Sequence, residues 1–190
     1  MRKLKGLFLI LVLAIITVSG AFAQTWYDSY ASGIENNKLF INVGIGFGPT
    51  SGYTMGIPPI SASLDYKLPI DLPITIGAMA AYTTWKYSVG IPSIYKIDVT
   101  YTNIGFGVRG MYHFNFMENL DTYAGLTIGY VIQSAKAETS GSYGSYDTGY
   151  DGVSFFLWGG NIGARYFFTD LVGVYFELGY SGLQFAGVGV

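Results

Sequence analysis

From Lys38 to Gly48 the chain alternates. The odd positions are Leu39, Ile41, Val43, Ile45 and Phe47, and most even ones are small or polar: Asn42, Gly44, Gly46 and Gly48. Successive side chains of a β-strand point to opposite faces, so such a run gives one bulky apolar face and one lean face. Ile60–Leu68 repeats the pattern, with Ile60, Ala62, Leu64, Tyr66 and Leu68 against Ser61, Ser63, Asp65 and Lys67. Less regular versions follow at 74–87, 98–114, 120–134, 153–168, 172–180 and 183–190. A period of two sustained over eight or more residues does not fit a helix. Residues 24–190 carry no helix signal.

That pattern meets an unusual composition. The chain is 51% apolar and only 12% charged, against about 25% charged in ordinary soluble domains. Beyond the N-terminus no apolar run reaches the roughly 20 residues a spanning helix needs. A chain of this kind either buries a very large core or turns its apolar faces to lipid. In lipid every backbone polar group must be paired internally, so strands span only as a closed barrel.

Glycine decides between a soluble sandwich and a barrel. If the apolar parity of each strand faces outward, then Gly44, Gly46, Gly48, Gly77, Gly105, Gly107, Gly125, Gly129, Gly159, Gly163, Gly173, Gly179, Gly187 and Gly189 face inward. Gly110 and Gly160 alone break that rule. A sandwich wants bulk on its packed face. Here the bulk lies outside, which fits a narrow lumen where glycines make room for a few large polar side chains.

The connections alternate too. Those at 68–73, 115–119 and 168–171 read as short turns. Those at 49–58, 88–97 and 135–151 read as long loops rich in Gly, Ser, Tyr and Pro. Tyr112, Phe114, Phe116, Tyr166, Phe167 and Phe168 flank the short turns, and Trp85, Tyr87, Tyr101, Phe155 and Phe156 lie nearer the long ones. Two aromatic girdles around an apolar band mark a membrane barrel, although ordinary sheets are also enriched in aromatics.

The N-terminus reads as an export signal. Arg2, Lys3 and Lys5 precede an apolar run from Leu7 to Val18, and Ala21-Phe22-Ala23 offers a cleavage site after Ala23. An uncleaved anchor is the other reading. Residues 1–23 hold three of the ten basic residues and none of the twelve acidic ones, so cleavage leaves a net charge of 7 − 12 = −5. With no basic stripe, no nucleic-acid partner is expected. The absence of cysteine rules out disulfides and thiolate metal sites.

The segments Tyr112–Tyr130 (YHFNFMENLDTYAGLTIGY) and Gly163–Tyr180 (GARYFFTDLVGVYFELGY) resemble the small outer-membrane β-barrel family that includes OmpA- and OmpX-like proteins. The resemblance covers essentially residues 24–190 and specifies fold rather than activity. It implies an all-β, eight-stranded antiparallel up-and-down transmembrane barrel over residues 38–190, after a signal peptide (1–23) and a short periplasmic lead (24–37). It further implies both termini in the periplasm and assembly by the barrel-assembly machinery. Such barrels usually close on a terminal aromatic residue. Ala186–Val190 offers none, and the last strand is expected to be a few residues short.

Chemistry-bearing residues are few. Asp65, Lys67, Arg109, Arg165 and Glu177 are inward by parity and fall in the half of the lumen near the short turns. Buried charges must be paired, so the expectation is a salt-bridge cluster: Arg109 and Arg165 with Glu177 and Asp65, and Lys67 at the rim. It reads either as an ion gate or as a plug that fills a small barrel. Asp121 lies at a strand start. His113, the one histidine, is inward near a short turn, the wrong end for a lipid-modifying hydrolase. No catalytic, cofactor or metal site is expected. Tyr143, Tyr146 and Tyr150, in the loop at 136–151, are candidates for contact with a host or phage surface, against the plainer reading of a solvated loop. The expected product is a monomeric outer-membrane barrel with a structural or surface role. A small porin is the alternative, and an outer-membrane enzyme is disfavoured.

Overall fold

The computed structural model describes residues 38–48, 52–91, 95–117, 119–141, 146–150, 153–179, 183 and 186–190. The signal, the lead and Tyr143 lie outside them. Among the described residues nine strands occur: β1 (Leu39–Phe47), β2 (Thr54–Lys67), β3 (Ile74–Ile91), β4 (Tyr95–Met117), β5 (Leu120–Gly141), β6 (Tyr146–Tyr150), β7 (Phe155–Phe167), β8 (Gly173–Gly179) and β9 (Ala186–Gly189). Each pairs antiparallel with its neighbours. β1 pairs with both β2 and β9, and β4 pairs with β5, so eight strands close into a barrel and β6 rides on the far end of β5. Closure removes the free edges that an open sheet would leave.

The polarity is inside out. Ile41, Leu126 and Trp158 are 68%, 69% and 70% exposed, and Val43, Ile76, Phe106, Ile128, Ile162 and Phe176 share that outer face. Much of the buried set is polar, including Asn42, Asp65, Thr75, Asn103, Arg109, His113, Asp121, Thr127, Asn161, Arg165 and Glu177. β1 states the rule in miniature, with exposed and buried residues strictly alternating along its length.

Three expectations about boundaries are corrected. The stretches 88–97 and 135–151 are not long loops. β3 and β4 continue as a ladder from Ile74↔Tyr112 to Ile91↔Tyr95, and β5 continues with β4 to Gly141. Their β-branched and aromatic residues suit a ladder, and antiparallel partners satisfy each other's backbone beyond the barrel rim. β2 likewise starts at Thr54, inside the expected 49–58 loop, with register shifts around Ile57. The eighth barrel strand begins at Ala186 rather than Leu183, and Leu183 instead buries its side chain in the lumen.

The short turns hold at the other end. Leu68 and Ile74 close one, with Leu68 N–H donating to Ile74 O at 3.0 Å. Asn119 closes the second at φ 63°, a left-handed conformation that Asn tolerates better than most residues. Thr169 Oγ1 accepts from the Leu171 and Val172 amides at 3.3 and 3.0 Å in the third. The girdle expectation needs two changes. Trp85 and Phe167 are buried at 9% and 7% exposure, because each sits at the inward parity of its strand.

Candidate functional site in the lumen

Register brings the charged residues together. On the wall facing the lumen, Asp65, Gly77 and Arg109 lie side by side on β2, β3 and β4. Gly77 has no side chain, and a Cβ there would run into Asp65. Arg109 therefore reaches across β3, and its Nε lies 3.2 Å from Asp65 Oδ1. A second row repeats the device. Tyr123, Gly163 and Glu177 lie side by side on β5, β7 and β8. Tyr123 reaches over Gly163 and donates its hydroxyl to Glu177 Oε2 at 3.1 Å. Arg109 Nη2 donates to the same oxygen at 3.0 Å and joins the two rows.

Arg165 completes the layer. Its Nη1 donates to Asp121 Oδ2 at 3.0 Å, and its Nη2 lies 3.9 Å from Asp65 Oδ2. The guanidinium lies over the rings of Phe40 and Tyr123, 4.7 and 5.2 Å from their centroids. Asn42 Nδ2 donates to Ser63 Oγ and Asp65 Oδ2 at 2.9 and 3.0 Å. Phe40 and Phe167 pack together beneath, toward the short turns.

Of the five residues singled out in the sequence, Asp65, Arg109, Arg165 and Glu177 thus share one buried network. Lys67 ends β2 and is half-buried at that rim. The expected pairing needs one change: the close carboxylate of Arg165 is Asp121, and Glu177 belongs to Arg109 and Tyr123. Asp121 stands directly opposite Arg165 across the β5–β7 ladder, which pattern reading along single strands does not reveal.

Sequence reasoning also missed a relay. His113 Nδ1 lies 2.7 Å from Asp121 Oδ1, and its Nε2 lies 2.9 Å from Thr75 Oγ1. A hydroxyl, an imidazole and a carboxylate in this order are the parts of a nucleophilic triad. Their setting differs. Thr75 and Asp121 are 0% exposed and His113 is 1% exposed. The ring of Phe40 stacks on His113 with centroids 6.4 Å apart. A hydroxyl with no open side has no room for a substrate carbonyl, and Asp121 is shared with Arg165. The inward parity of residues 75, 113 and 121 was the available signal. Among the described residues no group of His, Asp and Glu converges as a metal site.

Above this layer the lumen is filled differently. Ala81, Val131, Leu157 and Leu183 form an apolar cluster with Met79 against it. Gly105 faces the Leu183 side chain and Gly48 faces the Trp85 ring, so glycine makes room for bulk here as well. Tyr146 and Tyr150 are the two ends of β6, paired opposite Thr139 and Ala135 of β5.

No family model matches the chain, and no curated protein matches it in sequence. Among solved structures it is similar to the crystal structure of Ail, the attachment invasion locus protein of Yersinia pestis. The identity is 14% and the TM-score 0.36, over 78% of this chain and 91% of that chain. The structure of Ail in complex with the heparin analogue sucrose octasulfate gives 15% and 0.39, over 80% and 91%. These are distant likenesses, and the functional reading rests on the chain's own residues. The pairing of β1 with β2 and β9 makes this chain a small closed eight-stranded antiparallel β-barrel, the architecture of the outer-membrane barrel family its sequence resembles.

Proposed function

We propose that this chain is a bacterial outer-membrane barrel whose lumen is a side-chain plug, and that it acts as an anchor and surface-contact protein rather than as a channel or an enzyme. The single observation that carries the plug is the network of Asp65, Arg109, Asp121, Arg165 and Glu177, with every member at most 8% exposed. Two guanidinium groups and three carboxylates tied by direct contacts leave no file of loose charges for an ion to follow. Eight strands enclose an interior just wide enough for side chains.

The membrane placement is supported by the outer face. A continuous band of Ile, Leu, Val, Phe and Trp this exposed is not compatible with a water-soluble monomer. Lipid covers it, with the short turns and both termini on the periplasmic side after the signal is removed at Ala23. The extensions of β3 to β6 then stand outside. Tyr146 and Tyr150 belong to that projecting part as the two ends of β6, and these two, together with Tyr143, are our candidates for contact with a host or phage surface. No cofactor enters this reading.

Conductance tests it. Refolded protein in a planar bilayer is expected to give no stable current, while Arg109→Ala breaks the network and admits ions. A steady wild-type current that Arg109→Ala or Glu177→Gln alters would instead assign the lumen to transport, which is the alternative reading.

A further inference from the structure

Past the rung Tyr82–Ile104–Ile132, where the apolar outer wall ends, the ladder of β3, β4 and β5 runs on without a register shift. Side chains keep alternating there, but the two faces exchange character. The face that continues the outer wall holds every charged residue of 85–101 and 135–139: Lys86, Lys96, Asp98, Lys136 and Glu138. Much of that charge is paired within the face. Lys96 Nζ lies 2.7 Å from Asp98 Oδ2, and Lys136 Nζ lies 3.1 Å from Glu138 Oε1.

The face that continues the lumen wall holds no charge. Its rungs are Trp85–Tyr101–Ala135, Tyr87–Val99–Ala137 and Val89–Ile97–Thr139. Tyr53 packs on it from the start of β2, with its ring centroid 5.6 Å from that of Tyr87 and 6.0 Å from that of Tyr101. Tyr53, Tyr87 and Val89 are each at least 41% exposed. A contiguous apolar patch held on a rigid ladder beyond the membrane marks a contact surface.

We propose that this charge-free face, centred on Tyr87, Val99 and Tyr101, docks an uncharged apolar segment of another protein. The inference deepens the surface-contact reading and rests on it. Three arguments select the occupant. Bilayer lipid lies on the opposite parity, since this face looks across the barrel mouth. A polyanion or polycation finds no charge to meet. A sugar laid on Val89, Ile97 and Val99 loses water from its hydroxyls and gains no partners for them. An apolar polypeptide segment loses nothing by that contact. Tyrosine gives it large, rigid contact area at low entropy cost, and buried Tyr and Trp are the usual anchors of protein interfaces.

Peptide selection tests the idea. Refolded protein in lipid nanodiscs is panned against a displayed library of random short peptides, with empty discs as the control. The recovered peptides are expected to be rich in apolar and aromatic residues and poor in charge. The strongest, made synthetically, should bind Tyr87→Asp and the milder Tyr87→Ser on the order of 10-fold more weakly. It should bind Lys136→Ala, on the opposite face, as it binds the parent. Heat-modifiable gel mobility shows that each variant has folded. Charged peptides, or binding lost in Lys136→Ala and kept in Tyr87→Asp, overturn the proposal and leave the surface-contact reading standing. No enrichment over empty discs counts against both. Maltoheptaose that competes with the peptide would assign the face to sugar. Protein-loaded discs that pair only with each other would assign it to a second copy. Either result overturns the proposal.

Discussion

Near the short turns the lumen is filled by Asp65, Arg109, Asp121, Arg165, Glu177 and Tyr123, each tied to the next by hydrogen bonds or ion pairs. Near the long hairpins it is filled by Ala81, Val131, Leu157 and Leu183, which only touch. Both halves use the same backbone trick, glycines that make room for bulky neighbours (Gly77 and Gly163 below, Gly105 and Gly48 above), and they differ in what failure costs. A charge that loses its partner stays buried and unpaired, a penalty of several kcal/mol. An apolar side chain that is trimmed leaves a void, and its neighbours can partly relax into it. The charged half is the more brittle filling, and it is also the half that specifies one arrangement. Apolar contacts have no direction, whereas Arg165 has a defined place between Asp121 and Asp65.

The difference can be attacked from both sides, beginning with the largest effect. Arg109→Met strands Asp65 and Glu177 together without their shared cation. The expected loss is about 3–5 kcal/mol, read as a lower unfolding midpoint in detergent micelles and loss of heat-modifiable gel mobility. A loss under about 1 kcal/mol would show that the network is hydrated and not brittle. Leu157→Ala in the upper half is expected to cost about 2–4 kcal/mol and to keep the gel shift. If it costs more than Arg109→Met, the ranking of the two halves is reversed.

The glycines sharpen the comparison further. A Cβ at Gly163 meets the Tyr123 ring, which is held by Glu177 on one side and Arg165 on the other. Gly163→Ala should cost about 1–3 kcal/mol by overpacking. A Cβ at Gly110, on the outer face, meets nothing within 4 Å. Gly110→Ala should be neutral, or stabilising by a few tenths of a kcal/mol through the less flexible unfolded chain. Equal costs at the two positions would contradict the inward and outward assignment.

The smallest effect lies beyond the barrel rim. Asp98 accepts a hydrogen bond from Ser88 Oγ at 2.5 Å and lies 2.7 Å from Lys96 Nζ. The hydrogen bond with Lys96, then that with Ser88, holds its carboxyl below the ordinary 3.8. A depressed pKa contributes stability above the unfolded value and loses it as pH falls through the folded one. Asp98→Asn should therefore shift the midpoint slightly at pH 7, with the shift fading as pH drops below 3.8. The site is exposed, so added salt should shrink even that difference. A larger loss than at Gly163 would mean that the projecting hairpins, not the lumen, set the stability.

Much of this was legible along the chain. The eight strands, their inward parity and four members of the network came from a period of two, which is local and survives without any knowledge of partners. Hairpin length was misread at 88–97 and 135–151, because Gly, Ser and Tyr mark a loop by composition while a partner strand makes them a ladder. Trp85 and Phe167 were assigned to girdles from their place near strand ends, although their parity pointed inward.

What the sequence determined by itself is the polarity of the barrel: bulk on one face of every strand, glycine and charge on the other, since alternation depends only on the backbone's own geometry. What the tertiary structure decided is who meets whom. That Arg165 faces Asp121, that Arg109 spans Gly77 to Asp65, and that Thr75, His113 and Asp121 form one relay all depend on register and closure. Register brings Thr75 to His113, 38 positions apart, and Asp121 to Arg165, 44 apart, and one strand's own pattern carries no information about the register of the next.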